Sequence, residues 1–162
     1  MSFDDGYVTA EYLRKMAERA RALKELSYEH MAIGPGATVL DAGCGPGVDT
    51  VPLAALVGPD GKVIGVDSDE AMLAEADEAA GGANYPAAVE HIRGSVLDLP
   101  LEDDSVDSCR AERLLQVLPP DSEQPIVNEL VRVTRRGGRI VLIDADWSSA
   151  SVDFSDAALE RR

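Results

Sequence analysis

Hydrophobic and polar positions change rhythm along the chain. From Ala10 to Met31 the apolar residues Leu13, Met16, Ala17, Ala20, Leu23 and Leu26 recur at intervals of three and four, which predicts a helix with one buried face. The stretch "IGPGA" (33–37) then breaks that helix. From Thr38 onward, short apolar runs alternate with helical patterns. "TVLDAG" reads as a buried strand, and "VDTVPLAALV" as a helix with Pro52 in its first turn. "KVIGVD" is a second strand. "SDEAMLAEADEAA" is a helix whose opening acids suit the positive end of the helix dipole. "VEHIRGSV" reads as a third strand, and "VDSCRAE" as a fourth, rather polar for a central position. "SEQPIVNELVRVTRR" is a helix with Ser122 as candidate cap and Gly137-Gly138 as its stop; "RIVLIDADW" is a fifth strand.

Strands alternating with helices predict a single α/β domain, with a mainly parallel sheet wound by right-handed crossovers. In such a sheet, ligands bind beyond the carboxyl ends of the strands, where the winding reverses. The loop Asp41-Ala42-Gly43-Cys44-Gly45-Pro46-Gly47 leaves the first strand at such an end. Gly43, Gly45 and Gly47 permit positive φ and close approach of a ligand to bare backbone, and the helix beginning near Gly47 offers unpaired N–H groups. The second strand ends in Asp67, a carboxylate placed to accept both hydroxyls of a ribose. Loop and acid together point to a nucleoside-containing ligand. Val48 stands where a dinucleotide fingerprint needs glycine, and no Gly-Lys-Ser/Thr follows as in a P-loop. Asp41 disfavours a pyrophosphate and favours a ligand with a positive centre.

Charge narrows the partner. Thirty acids against fifteen Lys and Arg leave a net charge of −15, a field that repels nucleic-acid backbones and fits a small-molecule partner better. No apolar run is long enough to span a bilayer, and the N-terminus lacks an export-signal pattern. Cys44 and Cys109 form no metal-ligand pattern, which favours a reduced, cytoplasmic protein with no metal.

Four motifs, "VLDAGCGPG", "VIGVDSDEAMLAEA", "GSVLDLPLEDDSVD" and "LVRVTRRGGRIVLID", resemble in order and spacing those of the class I S-adenosylmethionine-dependent methyltransferases, closest to the small-molecule branch. The resemblance covers roughly residues 36–147. It implies a Rossmann-like, doubly wound sheet with helices on both faces, S-adenosyl-L-methionine as cofactor, and methyl transfer to a small molecule by direct displacement. The backbone at Gly43, Cys44, Gly45 and Gly47 would follow the methionine part, and Asp41 would hold its ammonium. Asp67 would take the ribose, with Ser68 and Met72 beside the adenine. Ser95 and Val96 stand where many relatives carry Asp-Ala; the serine supplies no carboxylate to the adenine amine, and Asp98 is a candidate substitute. Carbonyls near Arg110 and Ala111 would meet the amino-acid end.

On the acceptor side the resemblance places Glu112, Gln116 and Trp147. Arg110, Glu112 and Arg113 read equally as a solvent-exposed ion-pair cluster, and Trp147 equally as a plug at the sheet's edge. Relatives' histidines near Gln116 and Val117 are absent, no general base stands out, and the catalytic residue is unassigned. His30 and His91 show no partner pattern and read as ordinary helix and strand residues.

The expected organisation is an N-terminal helical segment (1–35), a cofactor-binding domain (36–147) and a C-terminal tail (148–162). The family's sheet has seven strands, so a fifth strand this close to Arg162 suggests a truncated form lacking strands six and seven. Its open sheet edge would then be covered by a second copy in a homo-oligomer. Two other readings stay open: a non-catalytic cofactor-binding module, and an NAD-type dehydrogenase, against which Val48 argues.

Overall fold

The first strand, Thr38–Ala42 (β1), is buried along nearly its whole length and forms the centre of the sheet in the computed structural model, which describes residues 9–83, 85, 87–119 and 121–145. Before it lie two helices, Ala10–Arg19 (α1) and Arg21–Met31 (α2). After it come Thr50–Val57 (α3), Lys62–Asp67 (β2), Glu70–Gly82 (α4), Ala88–Arg93 (β3), Val106–Glu112 (β4), Glu123–Val133 (α5) and Thr134–Ile143 (β5). The five strands are parallel in the order β3-β2-β1-β4-β5. The chain winds outward from β1 to β3, then returns to lay β4 on the other side of β1. That reversal opens a crevice at the carboxyl ends of β1 and β4.

Alternation along the strands sends side chains to two cores. Leu40, Ala42, Ile64, Val66 and Cys109 pack with Ile126 and Leu130 of α5 on one face. Val39 and Val63 pack with Leu53, Ala54 and Val57 of α3 and with Met31 of α2 on the other. Helices on both faces explain why β1 and β2 read as continuous apolar runs rather than as alternations. At about 25 cal/mol per Å² of apolar surface buried, each enclosed Leu or Val contributes about 1.5 to 3 kcal/mol to the fold.

The expected strands are all present; several local details differ. The predicted single N-terminal helix breaks at Ala20, which leaves helical geometry and serves as α1's C-cap. In α2 the buried face is Lys24, Ser27 and Met31, whereas Leu23 and Leu26 are about half exposed. The third helix starts at Thr50 rather than near Gly47. Ser122 occupies the N-cap position of α5 without a capping hydrogen bond from its side chain. That helix ends at Val133, and Thr134 enters β5 at once, its hydroxyl donating to the Leu130 carbonyl at 2.7 Å. Gly137 and Gly138 therefore lie within β5 and stop nothing. The polar "VDSCRAE" is central after all, held between β1 and β5.

Candidate functional site

Three glycines with positive φ, Gly43 (+73°), Gly45 (+52°) and Gly47 (+71°), turn the chain from β1 into α3. Space as well as φ demands glycine here. A Cβ on Gly43 would stand 2.9 Å from Leu114 Cδ1, and one on Gly47 would stand 2.9 Å from the Ala76 methyl. The loop is pinned to β2: the N–H groups of Gly43 and Cys44 both donate to the Val66 carbonyl, at 2.8 and 3.1 Å.

Asp67, at the tip of β2, accepts from Gly45 N–H through Oδ2 (2.8 Å) and from Asp69 N–H through Oδ1 (2.9 Å). Asp69 in turn caps α4 by accepting from Ala71 and Met72 N–H. One carboxylate thus joins the glycine loop to the start of α4, and each of its oxygens keeps a further lone pair for a ligand. Ser68 is exposed and Met72 half-buried beside it. Ser95 is exposed and its Oγ accepts from Leu97 N–H (3.1 Å), so the hydroxyl serves its own turn. Asp98 closes that turn by donating N–H to the Ser95 carbonyl, and Val96 is buried beneath it.

Under the loop lies a buried charge cluster. Arg110 of β4 pairs in register with Asp41 of β1, and its side chain has no exposed surface. Its Nη1 lies 2.7 Å from Asp49 Oδ2 and 3.6 Å from Asp41 Oδ1, and its Nη2 donates to Glu112 Oε2 at 2.6 Å. Lys24 of α2 reaches in to donate to Asp49 Oδ2 (2.7 Å) and Glu112 Oε2 (2.5 Å). Tyr28, one turn on, donates its hydroxyl to Asp49 Oδ1 and lays its ring against the Arg110 guanidinium, 5.4 Å from centroid to Cζ. The expectation of a solvent-exposed cluster at Arg110 and Glu112 is therefore corrected: only Arg113, 3.5 Å from Glu112 Oε1, stands at the rim. These charges are enclosed because α2 packs against β4 and β5 with Lys24 turned inward.

Formal charges on the enclosed side chains do not balance. Among the described residues Asp41, Asp49 and Glu112 are three enclosed acids, whereas Lys24 and Arg110 are two enclosed bases; the third cation, Arg113, pairs with Glu112 from the partly exposed rim. The imbalance shows at Asp41. Burial, opposed by Arg110 and reinforced by Asp49, pushes its carboxyl up to about 7. Burial also works against the charge on Asp49, but Arg110 and Lys24 hold that carboxyl below the usual range. Arg110 keeps its proton despite burial because Asp41 and Asp49 face it. Among the described residues its Nε has no hydrogen-bond partner, and Nη1, though close to Asp49, is not aligned with it. Burial and the neighbouring carboxylates of Asp41 and Asp67 push the Cys44 thiol far up, so it is not a nucleophile.

Lys24, Tyr28 and Asp49 escape a reading of periodicity. For Lys24 and Tyr28 the signal is the spacing 24, 27, 28, 31, a stripe that ends in the fully buried Met31; Asp49 carries no such mark. Ala111 is buried beside Arg110, Gln116 is exposed on the 3₁₀ turn Leu115–Val117, and Trp147 lies outside the described residues. Surface grooves of about 400 and 540 Å³ line the start of β5 and the gap between α1 and α4; neither reaches the glycine loop. Over that loop lies α1 itself, with Leu13 Cδ1 3.5 Å from where a Cβ on Gly45 would be.

Fold and loop define a Rossmann-like α/β protein with a glycine-rich turn between β1 and α3. The chain belongs to the methyltransferase domain family, whose model matches residues 39–138. It is 38% identical over 113 residues to an arsenite methyltransferase of Halobacterium salinarum, a match covering 70% of this chain and 28% of that protein. It is 36% identical over 110 residues to a demethylmenaquinone methyltransferase of Desulfitobacterium hafniense, covering 68% and 43%. Among solved structures, a SAM-dependent methyltransferase from Aquifex aeolicus aligns with a TM-score of 0.73 at 25% identity, over 94% of this chain and 80% of that one. The chain spans less than half the length of these two curated relatives. No helix among the described residues is long and apolar enough to cross a membrane.

Proposed function

We propose that this chain binds S-adenosyl-L-methionine at the glycine loop and transfers its methyl group to a small-molecule acceptor. One observation carries the reading. Bare backbone between two acid-tipped strands lies beside an enclosed cluster of three acids and two bases, whose third cation, Arg113, stands only at the rim. The cofactor's amino-acid end brings an ammonium, and Asp41, whose ionisation burial opposes, is the acid that gains from it. The residues present therefore fit the group.

The chain's own residues divide the work. Backbone at Gly43, Cys44, Gly45 and Gly47 receives the methionine portion, and carbonyls at Arg110 and Ala111 flank its ammonium. Asp67 takes the ribose hydroxyls with the lone pairs that Gly45 and Asp69 leave free. Ser68, Met72, Ser95 and Val96 border the adenine. Glu112, already engaged by Lys24 and Arg110, orients that wall rather than acting as a base, and Gln116 borders the acceptor. Residues 36–147 form the cofactor unit and the helical segment 1–35 is its cover, since Lys24 and Tyr28 reach into the site.

When bound, the cofactor supplies an electrophilic methyl on a sulfonium. The protein's share is orientation, which holds acceptor and methyl in line and is worth on the order of 7–11 kcal/mol in well-positioned systems. The relatives' names, arsenite and demethylmenaquinone methyltransferase, support a small acceptor, and the charge of −15 disfavours nucleic acid. The free cysteines Cys44 and Cys109 support a reducing, cytoplasmic setting. A second copy covering the outer edge of β5, which pairs with no further strand among the described residues, belongs to the same proposal, and a clean monomer by light scattering contradicts it. Calorimetric titration with S-adenosylhomocysteine tests the binding step: a saturable heat supports it and none contradicts it. Methyl transfer to a panel of small acceptors tests the chemistry.

A further inference from the structure

His91 is not an ordinary strand residue. It lies on β3 opposite Gly65 of β2, and its side chain is 1% exposed. Its place exists because residue 65 has no side chain: a Cβ there would stand 2.7 Å from His91 Cδ2 and 2.9 Å from Cys44 Sγ. The ring faces Asp77 of α4 through Nδ1, at 2.8 Å, and Thr50 of α3 through Nε2, at 3.2 Å. Thr50 Oγ1 in turn lies 3.0 Å from the carbonyl of Gly47, the last glycine of the loop. Asp77, Thr50 and, across Gly65, the neutral Cys44 thiol are the groups that face the imidazole.

Counting protons along this chain assigns the donors. For all three contacts to be hydrogen bonds at once, the Gly47 carbonyl, which can only accept, must take the single hydroxyl hydrogen of Thr50. Thr50 must then accept from His91, which requires a proton on Nε2. The Asp77 carboxylate also accepts, which requires a proton on Nδ1. Both bonds are made together only by the doubly protonated ring. On losing a proton, the ring keeps Nδ1–H toward Asp77. The Thr50 hydroxyl then turns to Nε2, and Gly47 loses its bond.

We propose that His91 is a positioning residue for the cofactor loop, holding Gly47 through Thr50 in its imidazolium form. The inference deepens the reading of the glycine loop as the cofactor site and rests on it for its functional consequence. The same contact ties α4 to the loop, since Ala76, next to Asp77, packs on Gly47.

Two experiments on the full chain test this, and the first needs no cofactor. Nitrogen-15 spectra of the ring, followed as the pH is raised from acid to alkaline, report its protonation. They should show both nitrogens protonated at the acid end and an Nδ1–H tautomer at the alkaline end. The amides of Gly45 and Gly47 should move with that transition in the wild type and in T50S, and stay still in T50V. A neutral Nε2–H ring, or loop amides that ignore the transition, overturns the proposal.

The second experiment compares S-adenosylhomocysteine affinity in T50V and wild type across the same range. Ionisation of Asp41 is common to both proteins and cancels in the ratio. T50V should bind roughly fivefold more weakly at the acid end, the value of one hydrogen bond, and equally at the alkaline end. A ratio that does not change with pH overturns the functional consequence. Expected spectra with no binding in the wild type would instead refute the cofactor reading and leave the His91 latch standing.

Discussion

Arg110 and Asp49 meet inside the protein, Nη1 to Oδ2 at 2.7 Å, although one comes from the middle of the sheet and the other from the end of the glycine loop. The guanidinium has no exposed surface and faces three carboxylates at once. Its main effect is to let Asp41, Asp49 and Glu112 share one enclosure.

Removing it should therefore be costly. R110M leaves three buried acids with Lys24 as their one enclosed counter-charge. Breaking a buried pair in this way typically costs about 3–5 kcal/mol. Urea unfolding should show a loss of that order, and a loss under about 1 kcal/mol would mean that the cluster is not closed as described.

Asp41 gives a dependence on pH with a definite sign. Its folded-state value, about 7, lies above its unfolded one, so its contribution to stability is complete in acid and lost as the pH rises toward 7. On the proposed placement, the cofactor's ammonium would draw the carboxyl back toward ionisation. In T50V, which lacks the His91 contact to the loop, affinity for S-adenosylhomocysteine should therefore rise from acid toward neutral pH and level off above it, with release of a proton on binding. Calorimetry in buffers of different ionisation heat measures that proton. D41N should bind more weakly and release none.

Gly43 is held at φ +73° with the Leu114 side chain 2.9 Å from any Cβ placed there. G43A adds strain and a clash together, and a stability loss of about 1–3 kcal/mol is expected from backbone strain of this kind. Cofactor affinity should fall with it. G34A is a control on space, because nothing lies within 4 Å of a Cβ on Gly34; it should change stability little.

Lys24 links α2 to the site through Asp49 and Glu112. K24M keeps most of the stem's packing and removes the charge. Hydrogen exchange should then quicken across Arg21–Met31, and more so than in K15M, whose ion pair to Glu11 is exposed. Equal exchange in the two variants would mean that Lys24 is not a tether.

Much of the fold was legible because β1 and β2 are buried on both faces and read as unbroken apolar runs. Asp41 and Asp67 were legible because each ends such a run. What was not legible is the interior charge. Lys24 finds its partners 25 and 88 positions away, and no local pattern marks a lysine whose charge is matched at that range. Periodicity consequently assigned α2's inner face to Leu23 and Leu26, both about half exposed. The role of His91 was hidden for a related reason, since the slot it fills is made by Gly65 on the neighbouring strand.

The most direct measurement is S-adenosylhomocysteine affinity in D67A against wild type, by calorimetry at neutral pH. Loss of a charged acceptor for two hydroxyls should weaken binding by about tenfold or more. Unchanged affinity would contradict the placement of the nucleoside between the glycine loop and β2.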